Sequence, residues 1–220
     1  MKQKFILLDI DNTLFDAASY RNKFSEKICV ELSRYGVLNP EVLCDEVYMQ
    51  LRVAKGLFAP EEFVEALLTK TNLSSSYLQT FLDIIYSQKT LQNNLYSEVL
   101  DTLQLLQKYA TIGIFSQGED NLQKRKIDSI RHFFTDDHMH IVENKEKAIE
   151  NVFLRYTGFE TYFVDDALPI LYKVHKEFPS IQTIWMKRGR YAKIQKDIVG
   201  FTPFASIVQL DELTTIIKEN

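Results

Sequence analysis

Asp9 and Asp11 stand two residues apart in "FILLDIDNTLFD", where an apolar run ends. One acid there would be an ordinary turn residue. Two that point the same way repel each other, and a cation is the natural counterweight. Three further polar sets each follow an apolar run downstream: Ser116-Gln117-Gly118, Glu143-Asn144-Lys145-Glu146-Lys147 and Asp165-Asp166. Together they offer carboxylates, a hydroxyl, loop amides and a lysine. Carboxylate oxygens without imidazole or thiolate suit a hard cation, Mg²⁺ by preference. Serine, amides and lysine suit a phosphate. The economical chemistry is phosphoryl transfer, in which one aspartate attacks phosphorus and becomes an aspartyl phosphate. A second aspartate protonates the leaving oxygen and later deprotonates water. In an extended segment residues i and i+2 share a face, so the spacing of Asp9 and Asp11 can put both carboxylates on one substrate.

Such a site needs its parts brought together, and the hydrophobic pattern says how. Residues 4 to 15 read as a strand and its turn. From residue 97 onward, short apolar runs ("ATIGIFS", "HMHIV", "TYFVDD", "IQTIWM") alternate with helical stretches ("EDNLQKRKIDSI", "KEKAIENVFLRY", "ALPILYKVHKEF"). That alternation implies right-handed βαβ units and a parallel sheet, an α/β fold of Rossmann-like type. Sites in open parallel sheets form outside the carboxyl ends of the strands, so the four polar sets are expected along one edge. Residues 16 to 96 differ. Phe24, Ile28, Leu32 and Tyr35 fall at helical spacing, and Pro40 and Pro60 sit like first-turn prolines. The first core strand would reach the second only after roughly 100 residues, far beyond an ordinary crossover. The expectation is therefore a core of residues 1–15 and 97–220, with residues 16–96 as a helical lobe.

The strings "DIDNT", "FSQG", a downstream lysine and "FVDD", in that order, resemble the four motifs of the haloacid dehalogenase superfamily. The resemblance covers the α/β core, and the helical insert resembles that family's C1-type cap. It implies an Mg²⁺-dependent phosphatase hydrolysing a small phosphomonoester. Under it Asp9 is the nucleophile and a metal ligand. Asp11 is the general acid/base and gives the metal its backbone carbonyl. Ser116 and the amide of Gln117 bind phosphate. Asp166 ligates the metal directly, and Asp165 acts in an outer shell through water. The motif lysine is Lys145 or Lys147: Lys145 comes soonest after the strand and is favoured, while Lys147 stands better relative to the following "VF" pair. The cap is expected to close over the site and choose the substrate. A carbon–halogen hydrolase of the same superfamily would use the same nucleophile without metal, and Asp11 and the acidic pair at 165–166 argue against it. A phosphomutase, with Arg21 and Arg52 clamping a second phosphate, and a non-catalytic phosphate- or metal-binding regulatory module are the alternatives.

Composition bounds the partners. The chain has 220 residues, a net charge of −4 and 25% charged residues, which disfavours wide electrostatic contact with nucleic acid. No apolar run nears the ~20 residues of a membrane span. The "MKQKFILLDIDNT" segment reads as a strand rather than a signal peptide. Cys29 and Cys44 fall in helical segments as small buried residues, and a reducing cytoplasm is the expected compartment. His138 and His140 beside two acids lack a matching third ligand cluster. The basic run "KRGRYAKIQK", residues 187 to 196, reads as a solvated face, and Tyr20, Phe24, Tyr48 and Phe58 as lobe core. The expected partner is a small phosphorylated metabolite.

Overall fold

The structure, a computed structural model, describes residues 3–189 and 191–219, with the side chain of Tyr191 left aside. Arg190 and that side chain, both within the basic run, lie outside the described residues. The strands form where the apolar runs lie. They are β1 (Lys4–Leu8), β2 (Thr111–Gln117), β3 (Met139–Val142), β4 (Glu160–Asp165), β5 (Gln182–Met186) and β6 (Ala205–Ile207). Among the described residues they make one six-stranded sheet, ordered β3-β2-β1-β4-β5-β6, with every neighbouring pair parallel. This is a doubly wound α/β sheet of Rossmann-like type. Winding reverses at β1, which lies between β2 and β4, so the crevice expected to hold a ligand opens at its carboxyl end.

A sheet covered on both faces needs strands that are apolar throughout. In β1, Phe5, Ile6, Leu7 and Leu8 are all buried. One face of the sheet packs Phe5, Leu7, Phe115 and Phe163 against Phe153 and Leu171. The last two belong to helices α8 (Lys145–Phe153) and α9 (Leu168–Glu177).

The chain divides into two compact units, Met1–Ala17 with Leu95–Asn220, and Ala18–Asn94. The second holds most of α1 (Ala17–Arg34), then α2 (Pro40–Lys55), α3 (Pro60–Thr71), α4 (Leu78–Tyr86) and the single turn α5 (Gln88–Leu91). Pro40 and Pro60 open their helices, where a missing N–H loses nothing. The core of this unit is aromatic: Phe24 stacks on Phe58 at 5.2 Å, with Tyr20, Tyr48 and Phe63 edge-on or tilted around them. Cys29 and Cys44 are buried free thiols whose sulfurs lie 3.8 Å apart. No described helix is long and apolar enough to cross a membrane.

Candidate active site

β1 ends at Leu8, but its ladder runs one residue further, since the Asp9 amide donates to the Val164 carbonyl at 3.0 Å. The backbone then turns sharply. The Ile10 carbonyl accepts from the amides of Thr13, Leu14 and Phe15, and Asn12 sits at φ 61°. Asparagine tolerates this left-handed conformation better than most side chains. Its amide then reaches Asp166 Oδ2 at 2.8 Å. The same conformation brings Gly189 so close that a Cβ there would meet Asn12 at 2.5 Å.

Asp9 Oδ1 accepts from Ser116 Oγ at 2.9 Å and from Lys145 Nζ at 2.5 Å. Lys145 Nζ also donates to Asp165 Oδ2 at 2.6 Å. All four groups are buried, with Asp9 and Lys145 each 4% exposed. Lys145 takes this position because α8 begins with it. Asn144 caps the helix by accepting from the Lys147 amide at 3.0 Å, and Gln117 Oε1 accepts from the Lys145 amide at 3.0 Å. Lys147 is exposed. Of the two candidate lysines, the structure puts Lys145 among the aspartates.

The electrostatics are unbalanced. Burial pushes the Asp9 carboxyl up to about 7; Lys145 pulls it down, and Asp165 and Asp11 push it up again. Asp166 is raised well above the usual carboxylate range by burial first, then by Asp165 and Asp9. Burial alone would lower Lys145, but Asp165 and Asp9 outweigh it and keep it a cation. Asp9, Asp165 and Asp166 each bring a carboxylate oxygen within 4.8 Å of the others. One lysine cannot neutralise three buried carboxylates, and a bound cation would remove the repulsion. The donors are all oxygen and suit a hard ion such as Mg²⁺. The residues present therefore fit the metal that the sequence pattern implies.

No family model and no curated relative matches the chain. Solved structures do. A haloacid dehalogenase-like hydrolase from Burkholderia xenovorans superposes with a TM-score of 0.80 at 21% identity, over 97% of this chain and 98% of that one. The HAD-hydrolase YfnB of Bacillus subtilis, solved with magnesium bound, gives 0.67 at 16% identity over 99% of each chain. A 2-haloacid dehalogenase from Pseudomonas syringae gives 0.66 at 16% identity, again over 99% of each. This chain has the haloacid dehalogenase-like fold.

In this haloacid dehalogenase-like fold the structure gathers Asp9, Ser116, Lys145, Asp165 and Asp166 directly. Asp11 stands slightly apart, held by residues that the sequence reading did not single out. Lys126 Nζ donates to Asp11 Oδ1 at 2.7 Å and Oδ2 at 2.8 Å. Gln123 Nε2 donates to Asp11 Oδ2 at 3.3 Å. Asn12 belongs to the "DIDNT" string, but its residue type and spacing alone do not give it a partner. A signal for the first pair exists: Gln123 and Lys126 are spaced i, i+3 on α7 (Asp120–Lys126), the helix that follows Ser116-Gln117. His138 and His140 are half-buried and share the Tyr156 hydroxyl, at 3.3 and 2.6 Å. They join no metal-ligand cluster among the described residues. Arg21 is paired with Asp45 and lies 3.9 Å over the Tyr48 ring.

Proposed function

We propose that the chain is an Mg²⁺-dependent phosphatase acting on a small phosphomonoester through an aspartyl-phosphate intermediate. The observation that carries this is the triad of buried carboxylates, Asp9, Asp165 and Asp166, with too little positive charge around it. Three carboxylates converging with oxygen donors alone favour a hard cation beside the nucleophile, which a metal-dependent phosphatase uses. Asp9, Asp166 and the Asp11 carbonyl would hold the ion, with Asp165 behind a water. Bound there, Mg²⁺ supplies positive charge that keeps Asp9 ionised and offsets its repulsion of the incoming phosphate.

The chain's own groups account for the remaining work. Asp9 Oδ attacks phosphorus, the bond to the leaving oxygen breaks, and Asp11 gives that oxygen a proton. Ser116, the Gln117 amide and Lys145 steady the phosphoryl oxygens as their charge redistributes. Water then attacks the aspartyl phosphate while Asp11 takes its proton, which restores Asp9 and releases phosphate. The test is phosphate release from p-nitrophenyl phosphate and a panel of phosphorylated metabolites. Activity should require Mg²⁺ and vanish in Asp9→Asn. Full activity in that variant or in chelator overturns the reading, and halide release from a 2-haloacid in chelator would replace it with dehalogenation.

A further inference from the structure

Lys126 is buried, 7% exposed, although lysine is among the residue types least often buried unless paired. Its ammonium meets both oxygens of Asp11, whose side chain keeps 31% of its surface exposed. The buried cation thus holds the less buried anion. Lys126 Nζ also lies over the Phe15 ring, 5.5 Å from its centre.

Gln123 adds direction. It is 2% exposed, and its Nε2 donates both to Asp11 and to the Gln117 carbonyl at 2.8 Å. A flipped amide would set oxygen against both acceptors, so its orientation is fixed. Its Oε1 is left buried without a hydrogen-bond partner among the described residues, so the amide is held by its donor side. Gly118 makes room for it, since a Cβ there would lie 2.3 Å from Gln123 Nε2. One side chain therefore ties Asp11 to the strand end that carries Ser116 and Gln117.

We propose that Lys126, assisted by Gln123, is a positioning residue that aims the Asp11 carboxylate for proton transfer to and from the leaving oxygen. The assignment rests on the phosphatase reading and on Asp11 as its acid–base group. Lys126 touches neither substrate nor metal in this scheme; it acts through Asp11.

The distinguishing measurement is leaving-group dependence. p-Nitrophenolate leaves with little help from an acid, whereas phenolate needs a proton. Steady-state kinetics with Mg²⁺ would compare p-nitrophenyl phosphate and phenyl phosphate in wild type, Lys126→Met, Lys126→Arg, Gln123→Met, Asp11→Asn and the Lys126→Met/Asp11→Asn double variant. Lys126→Met should lower kcat for phenyl phosphate by on the order of tenfold more than for p-nitrophenyl phosphate, with KM little changed. Lys126→Arg should recover part of the loss, and Gln123→Met should show the same pattern more weakly. In the Asp11→Asn background Lys126→Met should add nothing, because the residue acts only through Asp11. Equal losses on both substrates, full additivity with Asp11→Asn, or no loss would overturn the assignment while leaving the phosphatase reading intact. Should Lys126→Met not fold, Gln123→Met decides by the same criterion. A wild type that releases no phosphate from either ester overturns the phosphatase reading, and this role falls with it.

Discussion

Lys145 occupies the position on which the charge balance depends. It bonds Asp9 and Asp165 at once, deep in the sheet edge. Lys145→Met would leave two buried carboxylates unpaired, and removal of one partner from a buried pair is destabilising by about 3–5 kcal/mol. A loss of unfolding free energy of that order, read from urea curves without metal, is the expected outcome. The repulsion itself is also measurable. The Asp9 carboxyl is raised from 3.8 to about 7, so between those pH values the folded chain binds the proton more tightly than the unfolded one. By linkage, stability without metal falls as pH rises through that window. Wild type should therefore lose more stability than Asp9→Asn from pH 4 to pH 7, and saturating Mg²⁺ should remove the difference. A neutral side chain at Asp166 should act similarly: Asp166→Asn is expected to raise the metal-free Tm and to blunt its rise on adding Mg²⁺. At this scale the sequence revealed the acids and left the lysine open between positions 145 and 147. The choice depends on Asn144 taking the Lys147 amide as its cap, which sets where α8 begins.

Among the elements, the edge strand β3 carries a titratable device of opposite sign. Burial first, then the charges of Arg155 and His138, lower His140 from an ordinary 6.5 to about 4. The folded state favours the neutral imidazole, whose Nε2 lies 2.6 Å from the Tyr156 hydroxyl. This stability is fully present above pH 6.5 and is lost as pH falls towards 4. Wild type should therefore lose more stability than His140→Gln on acidification from pH 7 to pH 5, as read by urea unfolding. In the helical unit, burial raises both thiols, Cys29 and Cys44. Both should react far more slowly with iodoacetamide in the native chain than after unfolding in urea, because the thiolate is the nucleophile. Helices and strands were legible from periodicity and from Pro40 and Pro60. The contact of α7 with Asp11 was not, because i, i+3 spacing marks a helix face without naming what that face meets 112 and 115 residues earlier.

For the whole molecule, the order β3-β2-β1-β4 decides that four polar sets from distant parts of the chain share one edge. The chain leaves and re-enters the α/β unit through adjacent segments: Phe15 bridges Leu95, and the Tyr96 amide donates to the Leu14 carbonyl at 3.1 Å. Joined ends of this kind tolerate replacement of what lies between them. A short Gly/Ser linker in place of residues 18–94 should leave a core that melts cooperatively and is still stabilised by Mg²⁺; a non-cooperative melt would count against it. The sequence alone determined the α/β class, the helical insert and the identity of the acids, because apolar periodicity and short motifs are local properties. Tertiary structure decided that Lys145 rather than Lys147 enters the site, that Asn12 reaches Asp166, and that Lys126 and Gln123 hold Asp11. Those contacts form only when sheet order and helix phase are fixed, and neither is written in any one stretch of the chain.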